Sequence, residues 1–238
     1  MPSSSPTASH YLGEELALAE HATQWKAYYG ALLRPYLRGR VLEVGAGIGG
    51  TTRTLLDSRP TDWLCLEPDA ALASQLASWQ AQVELPVRLR VGTLATLPAA
   101  EGYFDAILYV NVVEHIEDDV AELAQAYARL APGGRLLVLV PAHQWLFSSF
   151  DAAIGHFRRY SRSQLRRVLP ARGQVRRLLY LDSLGVLAAT ASKLLPQTYP
   201  TLGQIKLWDR GLVPLSRRLD PLLGYHVGKS VLAVVEKP

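Results

Sequence analysis

The run Val41-Leu42-Glu43-Val44 stops abruptly at Gly45-Ala46-Gly47-Ile48-Gly49-Gly50, and a helical pattern follows across 51–58. Few features restrict a fold as strongly. An apolar run without polar alternation is a strand covered on both faces, the kind found in parallel sheets between helix layers. Glycine adopts backbone angles that other residues avoid and lets the chain approach a ligand closely. Strand, glycine turn and helix together therefore make a cradle for a polar or anionic cofactor. Gly45, Gly47 and Gly50 also satisfy the G-x-G-x-x-G of dinucleotide-binding enzymes, with Glu67 well spaced to hold a ribose. Taken alone, the loop leaves open a nicotinamide cofactor, a different one, or a tight turn with no ligand.

The rest of the chain repeats the rhythm. Apolar runs at 63–67, 87–91, 104–110 and 136–140 read as further strands, with helices at 70–82 and 118–130. Acids begin the second of these helices and Arg129 lies near its end, as the helix dipole favours. Trp25, Tyr28 or Tyr29, Leu32 and Tyr36 share a face of an amphipathic helix expected over 14–37. Ser161 and Gln164 form a capping box that starts a helix ending at Leu169, before Pro170. Two late strands, 175–181 and 230–235, are expected side by side at one sheet edge. The expected fold is an α/β Rossmann-like open sheet, mostly parallel and seven-stranded, with helices on both faces and a helical insertion before the last strand. Residues 1–12 read as a flexible tail, 13–238 as a single domain, and 182–226 as a lid or acceptor wall.

Composition removes several classes. Apolar residues make up 49% of the 238 and charged residues 19%, which excludes wholesale disorder. A lone cysteine, Cys65, rules out an internal disulfide or a cysteine-cluster metal site, and a reducing, cytoplasmic setting is expected. No apolar run approaches the roughly 18 residues of a membrane span. The net charge of +4 is uneven: eight arginines and no acid lie between positions 158 and 177. That cluster is either a solvated face or a patch for an anionic substrate or an acidic membrane surface.

Three features narrow the cofactor. Glu43 lies inside the strand before the glycine loop, where a buried carboxylate needs a partner, and the ammonium and sulfonium of S-adenosylmethionine would supply one. Asn111-Val112-Val113-Glu114-His115-Ile116 places polar groups at the carboxyl end of a parallel strand, where such sheets bind ligands. Leu130-Ala131-Pro132-Gly133-Gly134 turns a helix tightly into the next strand. VLEVGAGIGG, Glu67, FDAILYVNVVEHIEDD and LAPGGRLLVLVP, in this order across residues 38–142, resemble the successive motifs of class I S-adenosylmethionine-dependent methyltransferases of the small-molecule type. PAHQWLFSSFDAAIGHFRRYS is similar, more loosely, to a segment of methyltransferases near polyprenol-sugar and surface-glycan pathways.

The resemblance implies S-adenosyl-L-methionine as cofactor, with Glu43, Gly45, Ala46, Gly47 and Gly49 facing its methionine half. It implies Glu67, beside Pro68, on the ribose hydroxyls, Thr93 and Leu94 at the adenine edge, and Asn111, Val112 and His115 along the pocket floor. Many relatives carry an acid after the third strand where this chain has Gly92-Thr93. Tyr11, Trp25 and Tyr28 read as packing residues, with closure over the cofactor as the alternative.

Methyl transfer to oxygen or nitrogen can use a general base, and histidine suits that role. His143, after the fifth strand, is the first candidate, followed by His115 and His156, with Asp151 behind them. Arg158, Arg159 and Tyr160 are candidates for holding a substrate anion. Glu114 and Asp118 read as helix-flanking residues, and no spaced metal-ligand set is seen. The expected acceptor is a small molecule, a saccharide or a lipid-linked compound, methylated at oxygen by a monomer or homodimer. Peripheral contact with an anionic membrane at its inner face is compatible with this reading. An NAD(P)-dependent oxidoreductase lacks support from Glu43 and the 111–116 cluster. A nucleic-acid methyltransferase lacks its motif after the fourth strand and any RNA-binding module. A non-catalytic cofactor-binding protein remains the last alternative.

Overall fold

The structure is a computed structural model that describes residues 16–58, 60–83, 86–193 and 199–238. The expected tail at 1–12, with Tyr11, lies outside the described residues.

Seven strands form one sheet: β1 (Arg40–Val44), β2 (Asp62–Glu67), β3 (Val87–Val91), β4 (Phe104–Val110), β5 (Leu130–Pro141), β6 (Gln174–Leu181) and β7 (Ser230–Glu236). Their order is β3-β2-β1-β4-β5-β7-β6, parallel from β3 to β5, with β7 antiparallel to both neighbours. The open, mostly parallel sheet and its late edge pair match the sequence expectation. The helices are α1 (Thr23–Leu33), α2 (Gly50–Leu55), α3 (Ala70–Gln80), α4 (Asp119–Ala128), α5 (Ser149–Ala153), α6 (Arg162–Val168), α7 (Gly185–Lys193), α8 (Leu202–Leu207) and α9 (Val213–Leu222). A single π turn, Trp208–Leu212, joins the last two.

Both faces of the sheet are covered. Leu42, Ile107 and Leu136 belong to the core on one side, and Val41, Trp63 and Leu108 to the core on the other. This is why the strands read as unbroken apolar runs. The chain steps from β1 toward β3 in one direction and from β4 onward in the other. The crevice between the carboxyl ends of β1 and β4 is therefore the switch point where such sheets bind ligands.

Three details differ from expectation. β5 starts at Leu130, because Leu130 pairs with Phe104 and Arg135 with Ala106, and the Ala131–Gly134 turn is an irregularity between the two pairs. The described parts of 182–226 are mostly helical as anticipated, but α8 and α9 run together through the π turn. The helix expected over 14–37 is broken: residues 16–19 form a separate turn and α1 begins at Thr23. The cause lies far away in sequence. Asp209 is fully buried, and its carboxylate accepts the backbone N–H groups of Gln24 and Trp25 at 3.1 and 2.9 Å. It thereby caps α1, whose own Ala22 has no capping side chain. Asp209→Ala strips the cap and leaves buried donors unpaired. A loss of about 2 kcal/mol is expected, a fall of roughly 4–8 °C in the unfolding midpoint for a chain of this size. An unchanged midpoint in calorimetry would remove Asp209 from this role.

Candidate functional site

The glycine loop leaves β1 with Gly45, Gly47 and Gly49 at φ values of +69°, +54° and +84°. These left-handed angles are open to glycine at little cost. At Gly45 the space is also closed to a side chain, because a Cβ would lie 2.6 Å from Cγ2 of Val112. The loop backbone thus packs directly against the segment that follows β4. Gly45 and Ala46 donate their N–H groups to the Leu66 carbonyl at 2.8 and 2.9 Å, tying the loop to the end of β2.

Glu67 ends β2 and completes this cradle. It is buried, and its two carboxylate oxygens accept the N–H groups of Gly47 at 2.7 Å and Asp69 at 2.9 Å. Burial raises its pKa, while these two backbone bonds oppose the rise. Each oxygen retains a second acceptor position, the requirement for binding a pair of ribose hydroxyls. Glycines that bring backbone against a ligand, and a carboxylate held beside them with acceptor capacity in reserve, fit S-adenosylmethionine. Pro68 is exposed beyond this point, and Asp69 caps α3.

Other sequence candidates fall differently. Glu43 points inward: its carboxylate accepts the Thr52 hydroxyl at 2.6 Å and the Trp63 indole N–H at 2.9 Å. Burial pushes its pKa up to about 7 against those bonds. The protein itself therefore supplies the partners that the sequence argument assigned to a cationic ligand. Thr93 caps the short turn at Leu94–Thr96, and the Leu94 side chain is buried in the core, leaving only its backbone for an adenine edge. Asn111 is exposed at the carboxyl end of β4 with φ +54°. Trp25 is buried and lines the central cavity, whereas Tyr28 is a packing residue whose hydroxyl donates to Asp220 at 2.7 Å.

Beside Asn111 opens a cavity of about 430 Å³. Its apolar wall includes Trp25, Phe150, Ile205 and Trp208, and its polar floor carries Glu114, His115, His156, Arg159 and Lys229. Asp151 organises this floor from below. It accepts from Arg159 Nε at 2.7 Å and from the second guanidinium nitrogen at 2.9 Å. It also accepts from the Ser148 hydroxyl at 2.9 Å, and His156 Nδ1 lies 2.8 Å away. Burial would raise the Asp151 pKa, but the His156, Arg159 and Ser148 bonds outweigh it and hold the carboxyl well below its usual range. An ionised Asp151 can only accept, so the shared hydrogen belongs to Nδ1 and Nε2 is the nitrogen turned toward Glu114. Nε2 lies 3.8 Å from Glu114 Oε1, beyond hydrogen-bond reach. His115 meets His156 edge-on with ring centroids 4.5 Å apart. Burial and the adjoining imidazole lower its pKa to about 4, so it is neutral at physiological pH.

His143 does not reach the cavity. The residue adopts φ +64°, its ring stacks on Tyr180 with centroids 4.7 Å apart, and a bond to the Gly228 backbone holds it. A left-handed residue at the end of β5 turns the side chain away from the crevice, which a reading of strand ends alone does not reveal. Arg158 and Tyr160 are also turned aside. Arg158 pairs with Asp119 at 2.7 Å, and the buried Tyr160 hydroxyl donates to the same carboxylate at 2.7 Å. Arg159 alone of these three lines the cavity. The arginine cluster is likewise dispersed: Arg176 pairs with Glu236, and Arg162 lies over Tyr180 and bonds His226.

Lys229, the residue before β7, was not among the sequence candidates. Its Nζ sits 3.5 Å from the Trp208 ring centroid and 3.7 Å from Asp182, with its pKa lowered by burial and by Arg159. Glu114 was read as a helix-flanking residue, yet it is buried on the cavity floor. Ligand atoms of Glu114, His115 and His156 all lie within 4.8 Å of one another, a donor set that no local spacing announces because His156 comes from a later loop.

Comparison with known proteins agrees with this geometry. A methyltransferase-domain family profile matches residues 42–136. The trans-aconitate 2-methyltransferase of Deinococcus radiodurans is 31% identical over 202 residues, covering 79% of this chain and 74% of the relative. The ubiquinone biosynthesis O-methyltransferase of Paramagnetospirillum magneticum is 34% identical over 122 residues, 49% of this chain and 47% of that one. Two further curated relatives align over shorter stretches, the chain spanning 4% and 38% of their lengths. Among solved structures, a chain in the complex between the Haloferax volcanii Trm112 methyltransferase activator and a methyltransferase superposes with a TM-score of 0.68. It has 17% identity and covers 99% of this chain and 100% of that one. The sheet order, the ordered motifs and the Deinococcus relative concur: the chain belongs to the class I S-adenosylmethionine-dependent methyltransferases.

Proposed function

We propose that this enzyme methylates an oxygen of an anionic small molecule, saccharide or lipid-linked acceptor held in the cavity beside Asn111. One observation carries the reading. Arg159, paired with Asp151, and Lys229, near Asp182, place cationic side chains on the floor next to an Asp151-oriented imidazole, under an apolar wall formed in part by the 182–226 insertion. A charged floor and an apolar wall suit an acceptor with an acidic group and an apolar body. The Deinococcus relative, named for the acid trans-aconitate, is consistent with an acidic acceptor.

S-adenosylmethionine, when bound, would supply a methyl group already activated on its sulfonium. The protein's share is to align the acceptor, exclude water and take a proton. The glycine loop and Glu67 hold the cofactor, with Glu43, Thr93, Asn111 and Val112 in supporting positions. Arg159 and Lys229 orient the acceptor's charged group. His156 Nε2 accepts the proton of an acceptor hydroxyl, with Asp151 fixing the ring. A neutral His115 packs at the reaction centre. The insertion forms the acceptor wall of a single domain. The working setting is the cytoplasm, with peripheral contact at a membrane, as monomer or homodimer. No helix among the described residues is long and apolar enough to cross a bilayer.

Transfer of labelled methyl groups tests the assignment. An anionic lipid-linked saccharide, trans-aconitate and an uncharged saccharide are compared at equal concentration. The charged acceptors are expected to be methylated at oxygen and the uncharged one to lag by about tenfold or more, the effect of one unmade charge-assisted contact. Transfer confined to the neutral acceptor or to amines would refute it.

A further inference from the structure

Helix α9 is amphipathic in the wrong sense for a helix that only has to pack on a protein. Its inward stripe is Val213, Ser216 and Asp220, of which two are polar and all are buried. Asp220 is occupied there: it accepts the N–H groups of Asp182 and Ser183 and the Tyr28 hydroxyl. Leu215, Leu219 and Leu222, spaced i, i+4 and i+7, point outward, and Leu222 is 82% exposed. Leu207, 72% exposed, adds to the face from α8, and Leu223 extends it. Every exposed leucine among the described residues lies between 187 and 223. An apolar patch this concentrated, on a stretch whose acidic side chains are turned inward, marks a surface that something covers.

Charge identifies the occupant. The two acids between 199 and 228, Asp209 and Asp220, are both fully buried. Arg210, Arg217 and Arg218 are exposed among the leucines, and Lys206 is half-buried beside them. Leucines rimmed by bases, with no exposed acid, describe a helix that lies in the headgroup region of a negatively charged membrane. A symmetric pairing with a second copy would bring the same bases face to face. We propose that α8, the π turn and α9 form a docking surface for an anionic bilayer. The same insertion contributes Ala189, Gln204, Ile205 and Trp208 to the cavity wall. Docking by this face brings the acceptor site to the bilayer, a purpose that rests on the lipid-linked reading above.

The test is co-sedimentation of the full chain with vesicles of phosphatidylglycerol and phosphatidylcholine in equal parts, against phosphatidylcholine alone. Binding to the anionic vesicles at low salt is expected, weakening as salt shortens the range of the charges. Replacing Leu215, Leu219 and Leu222 together by serine should cut the bound fraction by about tenfold with an unchanged thermal midpoint. Arg217→Gln with Arg218→Gln should weaken anionic binding and leave the cofactor-dependent thermal shift intact. No binding at low salt overturns the proposal, as does binding indifferent to the triple substitution. A dimer that the triple substitution dissociates, seen by sedimentation velocity without vesicle binding, assigns the face to a second copy instead. Vesicle binding with no methylation of any lipid-linked acceptor would retain the docking surface and defeat the acceptor assignment alone.

Discussion

His156→Ala is expected to slow methyl transfer by about 10²–10⁴-fold, the usual worth of a positioned general base, while S-adenosylhomocysteine still binds. The geometry that carries this is the 2.8 Å contact between His156 Nδ1 and an Asp151 carboxylate that Arg159 and Ser148 keep ionised. With Nδ1 committed to Asp151, Nε2 is the nitrogen left to accept a proton at the cavity floor. Asp151→Asn should cost less than His156→Ala, because the ring remains present but its hydrogen placement is no longer enforced. It also removes a charge from Arg159, so acceptor affinity should change together with turnover. His143→Ala is the control: its ring is spent on Tyr180 and the Gly228 backbone, and turnover should stay near the parent value. Single-turnover rates, with cofactor binding measured beside them, decide the matter. Full turnover in His156→Ala, or its loss in His143→Ala, would reverse the assignment.

The second large effect is expected in cofactor affinity. Glu67→Ala removes two charge-assisted acceptors for ribose hydroxyls and at the same time frees the N–H groups of Gly47 and Asp69. Contacts of that kind contribute about 1.5–3 kcal/mol each. A weakening of about 10²–10⁴-fold in the S-adenosylmethionine dissociation constant follows. In the parent protein, ligand at a hundred times its dissociation constant should add about 2.7 kcal/mol and raise the midpoint by roughly 5–10 °C. The same ligand concentration should scarcely move Glu67→Ala. Glu67→Gln, which keeps one acceptor oxygen, should fall between the two. Titration calorimetry giving a dissociation constant within about threefold of the parent, a difference under 1 kcal/mol, would remove Glu67 from the ribose site.

These two cases divide the molecule along a physical line. The residues of the cofactor cradle act near their own place in the chain. Gly45, Gly47 and Gly49 are required because of their own backbone angles, and Glu67 because it ends the strand beside them. Unbroken apolar runs such as 63–67 and 104–110 carry the parallel sheet by themselves, since each must be covered on both faces wherever it pairs. The Ser161–Gln164 capping box is equally local, and α6 begins where it says.

Side-chain direction across long separations is another matter. The sequence ranks His143 ahead of His156, and the order is reversed by a left-handed φ at one and a carboxylate partner at the other. Glu43 was well placed for a cationic ligand until Thr52 and Trp63 proved to satisfy it. Asp209 stops one helix from 184 residues away, and Asp220 holds the turn after β6. Because those acids are spent inside, the leucines and arginines of α9 are left outside. Local backbone preference and hydrophobic pattern are properties of a short stretch of sequence, so the sheet and the glycine cradle were determined there. Which histidine is poised, which charges are cancelled and which apolar face is exposed depend on partners that only the assembled chain brings within a few ångströms, and the tertiary structure alone decided them.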